Sequence, residues 1–342
     1  MGRSCRPKSV SLFLIALLLC AGEAAGEASF RFKLASLAPK SVGWARHLRS
    51  VVTPAVDRAT EGRVRLKWYW GGVMGNDRDY IDKMRIGQLH GAAFTGRGVA
   101  LVCPEMAVLS LPFLFRDYGE VDHIREKMRP AFDALAEKRG YKLVVWSDQD
   151  FDQIYSVSLP MDRLNHFGKV RFLTWNGPME QRLLKILGAN PVPVNVTELT
   201  PSVRQGVGDT LLAPAIWMVG SQLYTTVKFV NPVKIRYSPA AVFVTLEAWR
   251  SLPESYRDGI LAIRGREAVT FREKTRADNR KSLAAMIDYG LKRTEMPPAE
   301  LAELKARSRA LWREAAGEAF PQALLEEILS HLEAYRGGAP MG

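Results

Sequence analysis

The chain has 342 residues, 47% hydrophobic and 25% charged, with a formal net charge of +12. That composition suits a globular chain with room for two cores rather than one, and it excludes a low-complexity or disordered polymer. Its basic residues lie scattered among acids rather than in one run with interleaved aromatics, which argues against nucleic-acid binding; the positive balance favours anionic partners, and a solvated basic surface accounts for most of these charges.

In chain order, residues 1–8 carry Arg3, Arg6 and Lys8, then "VSLFLIALLLCA" runs from Val10 to Ala21 and "AGEAAGEAS" follows. This pattern predicts a secretory signal over residues 1–26, too short to span a bilayer, with cleavage between Ala24 and Ala28. Export to the periplasm as a soluble protein follows, because no later apolar run is long enough to cross a membrane. Cys5 and Cys20 fall in the signal, so Cys103 is left without a disulfide partner and reads as a small buried thiol.

From "FRFKLAS" onward, strands and helices alternate, which predicts the α/β class. A strand, a helix after Ser41 with Trp44 on its apolar stripe, and the alternating "RVRLKWYW" make a βαβ unit. A helix from about Asp77 to Gly87, the strand "HGAAFT", a helix after "PFLFRDYG" and the buried run "YKLVVW" complete a first lobe near residue 150. "IYSVSL", "GKVRFLTW", a helix over 177–187, "TLLAPAIWM" and "YTTVKFV" build a second. From Pro253 to about Gly290 the pattern is helical, interrupted only by Gly259 and Gly265. It predicts either a rod of roughly 55 Å crossing open solvent between the lobes or two helices broken near Gly265. The lobes are expected over 29–153 plus 236–280 and over 154–235 plus 281–337, with hinges near 150–154 and 235–238.

Catalytic patterns are weak. The histidines at 47, 90, 123, 166 and 331 lack the short spacings of a metal site, and no CxxC, GxSxG, Walker or complete GxGxxG sequence occurs. Asp148, Asp150 and Asp152 alternate as in a calcium loop, but the glycine and distal glutamate of such a loop are missing. No metal, no cofactor and no enzymatic activity are expected.

Four segments in order, "LASLAPKSVGWARHL", "EGRVRLKWYWGGVMGNDRDYIDKMRIGQLHGAAF", "SLPFLFRDYGEVDHI" and "GKVRFLTWNGPMEQRLLKILGANPVPVNVTELTPSVRQGVGD", resemble the solute receptors of tripartite ATP-independent periplasmic (TRAP) transporters, of the dicarboxylate-receptor type. The resemblance covers nearly all of the chain after the signal. It implies a two-lobed periplasmic-binding-protein clamp, a long helix spanning both lobes, a membrane permease as partner and a small organic acid as ligand, in a monomer or homodimer. It also implies that Arg171 points into the interlobe cleft and holds a carboxylate, a task suited to a planar fork of donors. The competing reading of Arg171 is a buried ion pair that pins the lobes together.

Phe94, Trp175, Asn176 and Trp217 are the further ligand-binding candidates, because residues at strand ends face the crevice in such sheets. Core packing is the alternative for each aromatic, and Trp44 is expected in the core. Two departures stand out: "DFDQIYSVSLP" puts Asp152 or Gln153 where a second arginine is common, and "GVGDTLLAPA" keeps Asp209 but puts Thr210 and Ala213 where glycine and asparagine are usual. One cleft wall is therefore expected to be apolar, favouring a carboxylate with an apolar portion. A periplasmic sensor or scaffold on the same clamp is the alternative function.

Overall fold

The computed structural model describes residues 30–337, together with Gly2. The expected signal and its cleavage site lie outside that span. Nine strands form one sheet in the order β2-β1-β3-β8-β4-β7-β5-β6, with β9 (Lys292–Arg293) beside β8. On one side β1 (Phe30–Ser36) pairs in parallel with β2 (Val64–Tyr69) and β3 (Gly91–Phe94). On the other, β5 (Arg171–Thr174) pairs in parallel with β6 (Asn190–Pro193) and β7 (Thr210–Ala213).

Two long antiparallel strands join these groups, β4 (Tyr141–Ser156) and β8 (Phe229–Thr245). At ~3.3 Å per residue each runs about 50 Å, so both serve two half-sheets. Alternation sorts their side chains: Leu143 and Trp146 pack with Phe94 and Phe132 on one face of the first half, while Val145, Val242 and Val244 pack with Phe271 on the other. In the second half, Phe172 meets Leu183 and Leu184, and its neighbour Leu173 meets Leu211 on the opposite face. This is the expected α/β clamp of two halves.

Two expectations need correction. The helical run from Pro253 is two helices, Glu254–Ala262 and Arg266–Asp288, separated at Ile263–Gly265. The second does reach both halves, with Phe271 against Trp44 and Met286 in the far core. Its charged middle does not cross open solvent, however, because Arg276 bonds Asp148 at 2.6 Å and Asp122 at 2.7 Å, and Thr275 and Asn279 are buried. The chain's end also returns to the first half: helix Gln322–Tyr335 packs against helix Tyr118–Lys138, and Leu325, Ile328 and Leu332 join the core of Phe132. Apolar faces on both helices require this, so residues 322–337 pack with the first half, while Leu311 of the preceding helix Ala310–Ala315 still packs in the core of Phe172.

Where the halves meet, the register of β4 against β8 shifts between Asp148 and Asp150 and again between Asp152 and Ile154. Such bulges bend the strands and re-aim their side chains. Asp148, Asp150 and Asp152 are all buried there. Asp148 receives Arg125, Arg276 and, at 2.5 Å, the Tyr237 hydroxyl. Asp150 receives the Tyr118 hydroxyl, and Asp152 receives Arg236 Nε at 2.6 Å. Burial pushes the Asp148 carboxyl up, but the two guanidiniums outweigh it and hold that group below its ordinary value. Asp150 has no cation partner among the described residues, and burial pushes it up to about 7 against the Tyr118 hydrogen bond.

A raised carboxyl pKa means that the folded chain binds the proton better than the unfolded one. The contribution of Asp150 to stability is therefore complete below the unfolded value of 3.8 and declines as pH rises toward about 7. Denaturant unfolding at pH 5 and pH 8 should show that Asp150→Asn removes at least about 1 kcal/mol of the loss between the two, one pKa unit being worth about 1.4 kcal/mol. An unchanged difference would place the titration elsewhere.

Candidate ligand cleft

A cavity of about 370 Å³ opens between the halves at the C-terminal ends of β1, β3 and β7. Strand ends put backbone turns and helix starts around such a crevice, which suits a ligand site. Ser36 closes β1 and turns its hydroxyl to the Ala38 amide at 3.2 Å. Beyond β3, Thr95 caps helix Gly96–Val102 through the Gly98 amide and donates its hydroxyl to Asp77 at 2.5 Å. Asp77 is buried beneath this corner, and burial pushes its carboxyl up to about 6 against the two hydrogen bonds from Thr95.

Gln149 comes from the β4 bulge, and its Oε1 accepts from Gly96 N at 3.1 Å and Ser238 Oγ at 2.9 Å. From the second half come Val196, Thr197 and Thr200 after β6, then Pro214, Ile216 and Trp217 after β7. No described residue lining this cavity is an Asp, Glu, His, Lys or Arg.

Among the sequence candidates, Trp217 and Phe94 line the cavity, although Phe94 is also wedged between Tyr80 and Phe243. Trp175 lies behind Trp217, stacked at 5.4 Å and 21°, with its Nε1 on the Leu212 carbonyl at 3.1 Å. Its place is that of a support. Asn176 faces a neighbouring cavity of about 460 Å³, shared with Arg97, Arg182 and Arg236. Trp44, expected in the core, lines the first cavity while packing on Phe271.

Arg171 requires correction. It is exposed, donates from Nη2 to the Gly206 carbonyl at 2.6 Å, and lines neither of these cavities. The reason is strand direction: Arg171 opens β5, whereas the crevice lies past the strand's other end at Trp175. Arg236 of β8 instead fills the alternative role of a buried guanidinium pinning elements together. It bonds Asp152 and stands 3.7 Å from Glu180, which in turn accepts the backbone amides of Trp175 at 3.1 Å and Asn176 at 2.9 Å.

The halves already touch around the cavity. Gly43, at φ +45°, lies so close to Ile216 that a Cβ would come within 2.3 Å of its Cδ1. Asn279 accepts from Ile216 N at 2.9 Å and donates to the Gln149 carbonyl at 2.7 Å, while Arg97 donates to the Trp175 carbonyl at 3.1 Å. Sequence reasoning missed Ser36, Gly43, Thr95 and Gln149. Small polar residues at loop starts carry no period, and only Gly43, inside an otherwise helical stretch, offered a signal.

A crevice between two α/β halves joined by long strands is the architecture of a two-lobed clamp. The model of DctP, the bacterial extracellular solute-binding proteins of family 7, matches residues 50–318, and the chain belongs to that family. Over 234 residues, 68% of this chain and 71% of the relative, it is 23% identical to the 2,3-diketo-L-gulonate-binding periplasmic protein of Escherichia coli (strain K12). Among solved structures, it is similar to the sugar acid binding protein of Advenella mimigardefordensis strain DPN7T in complex with galactonate, with TM-score 0.82 and 17% identity over 89% of this chain and 98% of that one. It is also similar to a TRAP periplasmic solute binding protein from Desulfovibrio salexigens with bound orotic acid, with TM-score 0.82 and 18% identity over 89% and 99%.

Arg171→Ala should leave ligand affinity within about threefold and shift unfolding free energy by no more than about 0.5 kcal/mol, as surface substitutions usually do. Titration calorimetry and denaturant melts of that variant check both, and a loss of binding of a hundredfold or more would return Arg171 to the site.

Proposed function

We propose that the chain captures a small organic acid with an apolar portion in the cleft between its halves, in the periplasm, and delivers it to a TRAP-type membrane permease. The observation that carries this reading is the cavity between the halves, whose walls come from strand ends of both and around which the two halves touch. A ligand that touches both walls favours the closed population by its differential affinity, and an opened clamp releases it. The acids named for the similar structures, galactonate and orotic acid, support the ligand class. The positive formal charge of the chain favours the approach of anions. Capture without turnover fits Cys103, whose thiol burial pushes up to about 12, far from a reactive thiolate.

Native mass spectrometry of the purified protein should find one small acid per chain. Gly43→Ala should weaken binding of the extracted acid by tenfold or more, because the added methyl meets Ile216 before the halves close. Adding Ile216→Ala should restore part of that loss. Undiminished binding by Gly43→Ala would move the ligand out of this cleft.

A further inference from the structure

The cavity described above has aromatic walls, and none of the described residues lining it is charged. The nearby guanidiniums face other places: Arg97 bonds the Trp175 carbonyl and fronts the neighbouring cavity, Arg236 donates from Nε to Asp152 and fronts that same cavity, its buried Nη2 without a hydrogen-bond partner among the described residues, and Arg276 is held by Asp148 and Asp122. Arg171 sits at the far end of β5.

Neutral donors remain, and Gln149 is the most specific of them. Its Oε1 is taken by Gly96 N and Ser238 Oγ, which orients the amide, and its Nε2 has no hydrogen-bond partner among the described residues. Thr95 cannot offer its proton, which goes to Asp77. The opposite wall is an aromatic platform, since Trp175 covers one face of Trp217 and is itself anchored on Leu212, while Phe94, Leu37, Val196 and Ile216 surround the space in front.

Building on the receptor reading, we propose that this cleft grips a planar, apolar-bodied monoacid by its ring rather than by its charge. The ring lies against Trp217, and the acid end meets neutral donors, Gln149 Nε2 foremost. A buried carboxylate without a cation retains little of the Coulombic gain that would offset its desolvation, so the apolar face must supply most of the affinity. A second carboxylate would be left with no counter-charge at all, which excludes small dicarboxylates as preferred ligands. The primary amide of the same body matches the wall nearly as well as the acid does.

Phenylacetate, phenylacetamide and succinate serve as probes in titration calorimetry, with Trp217 fluorescence as a second readout. The expected pattern is phenylacetate and phenylacetamide within about tenfold of each other, succinate at least a hundredfold weaker, and a loss of tenfold or more for phenylacetate in both Trp217→Ala and Gln149→Leu. Phenylacetate affinity should change by less than about threefold between 20 and 300 mM salt, because no ion pair is screened. The inference is overturned if phenylacetamide binds a hundredfold more weakly than phenylacetate, if succinate binds as tightly as either, or if none of the three binds. In the last case the receptor reading is judged separately by the Gly43→Ala test on the extracted acid.

Discussion

Strand β4 must carry three buried aspartates past β8 from one half of the molecule to the other, and the rest of the structure depends on how those groups are satisfied. Asp152 on β4 and Arg236 on β8 meet at 2.6 Å, and Arg236 also stands near Glu180 at the start of helix Pro178–Ile186. Glu180 receives the amides of Trp175 and Asn176, so the charged hinge fixes the end of β5 and thereby the tryptophan that supports Trp217. Removing one member of such a set leaves an unpaired buried charge, which costs far more than the intact set contributes. The arrangement therefore holds register between β4 and β8 at the point where bulges have weakened the ladder.

The same economy explains the cleft. The bulged middle of β4 and β8 sets the cations Arg125, Arg236 and Arg276 against acids within the protein, and the adjoining cavity is left with hydroxyls, one side-chain amide and aromatic faces. Membership of the DctP family sets the clamp and its use in solute binding. The walls of this clamp are a separate matter, because the similar structures share less than a quarter of their residues with it. Specificity belongs to the residues in the loops, which a shared fold leaves free to vary.

Much of the fold was legible because burial writes a period into the chain. "YKLVVW" and "RVRLKWYW" announced strands, and the helix expected from about Asp77 begins there, its start capped by a reciprocal box of Asn76 and Asp79. The break near Gly265 was visible as an alternative, and the structure realises it. Arg171 shows the limit. A strand arginine flanked by apolar residues looks the same whether it opens the strand toward solvent or ends it in the crevice, since alternation gives the face but not the depth. Arg236, in "VKIRYSPAAVFV", had the same local appearance and proved to be the buried one. What separates them is Asp152 on the neighbouring strand, a pairing 84 residues apart that no local pattern encodes. Gln149 was hidden for a related reason, being aimed by a bulge that the alternation of β4 could not reveal.

The central proposal is that ligand closes the halves about the bulged middle of β4 and β8, with the contacts of Gly43 with Ile216 and of Arg97 with Trp175 made in the closed state. Small-angle X-ray scattering from ligand-stripped and ligand-saturated protein measures this directly. The account predicts a smaller radius of gyration on saturation, with a saturated profile matching the closed structure. An identical profile in both samples, with binding confirmed by calorimetry, would contradict it.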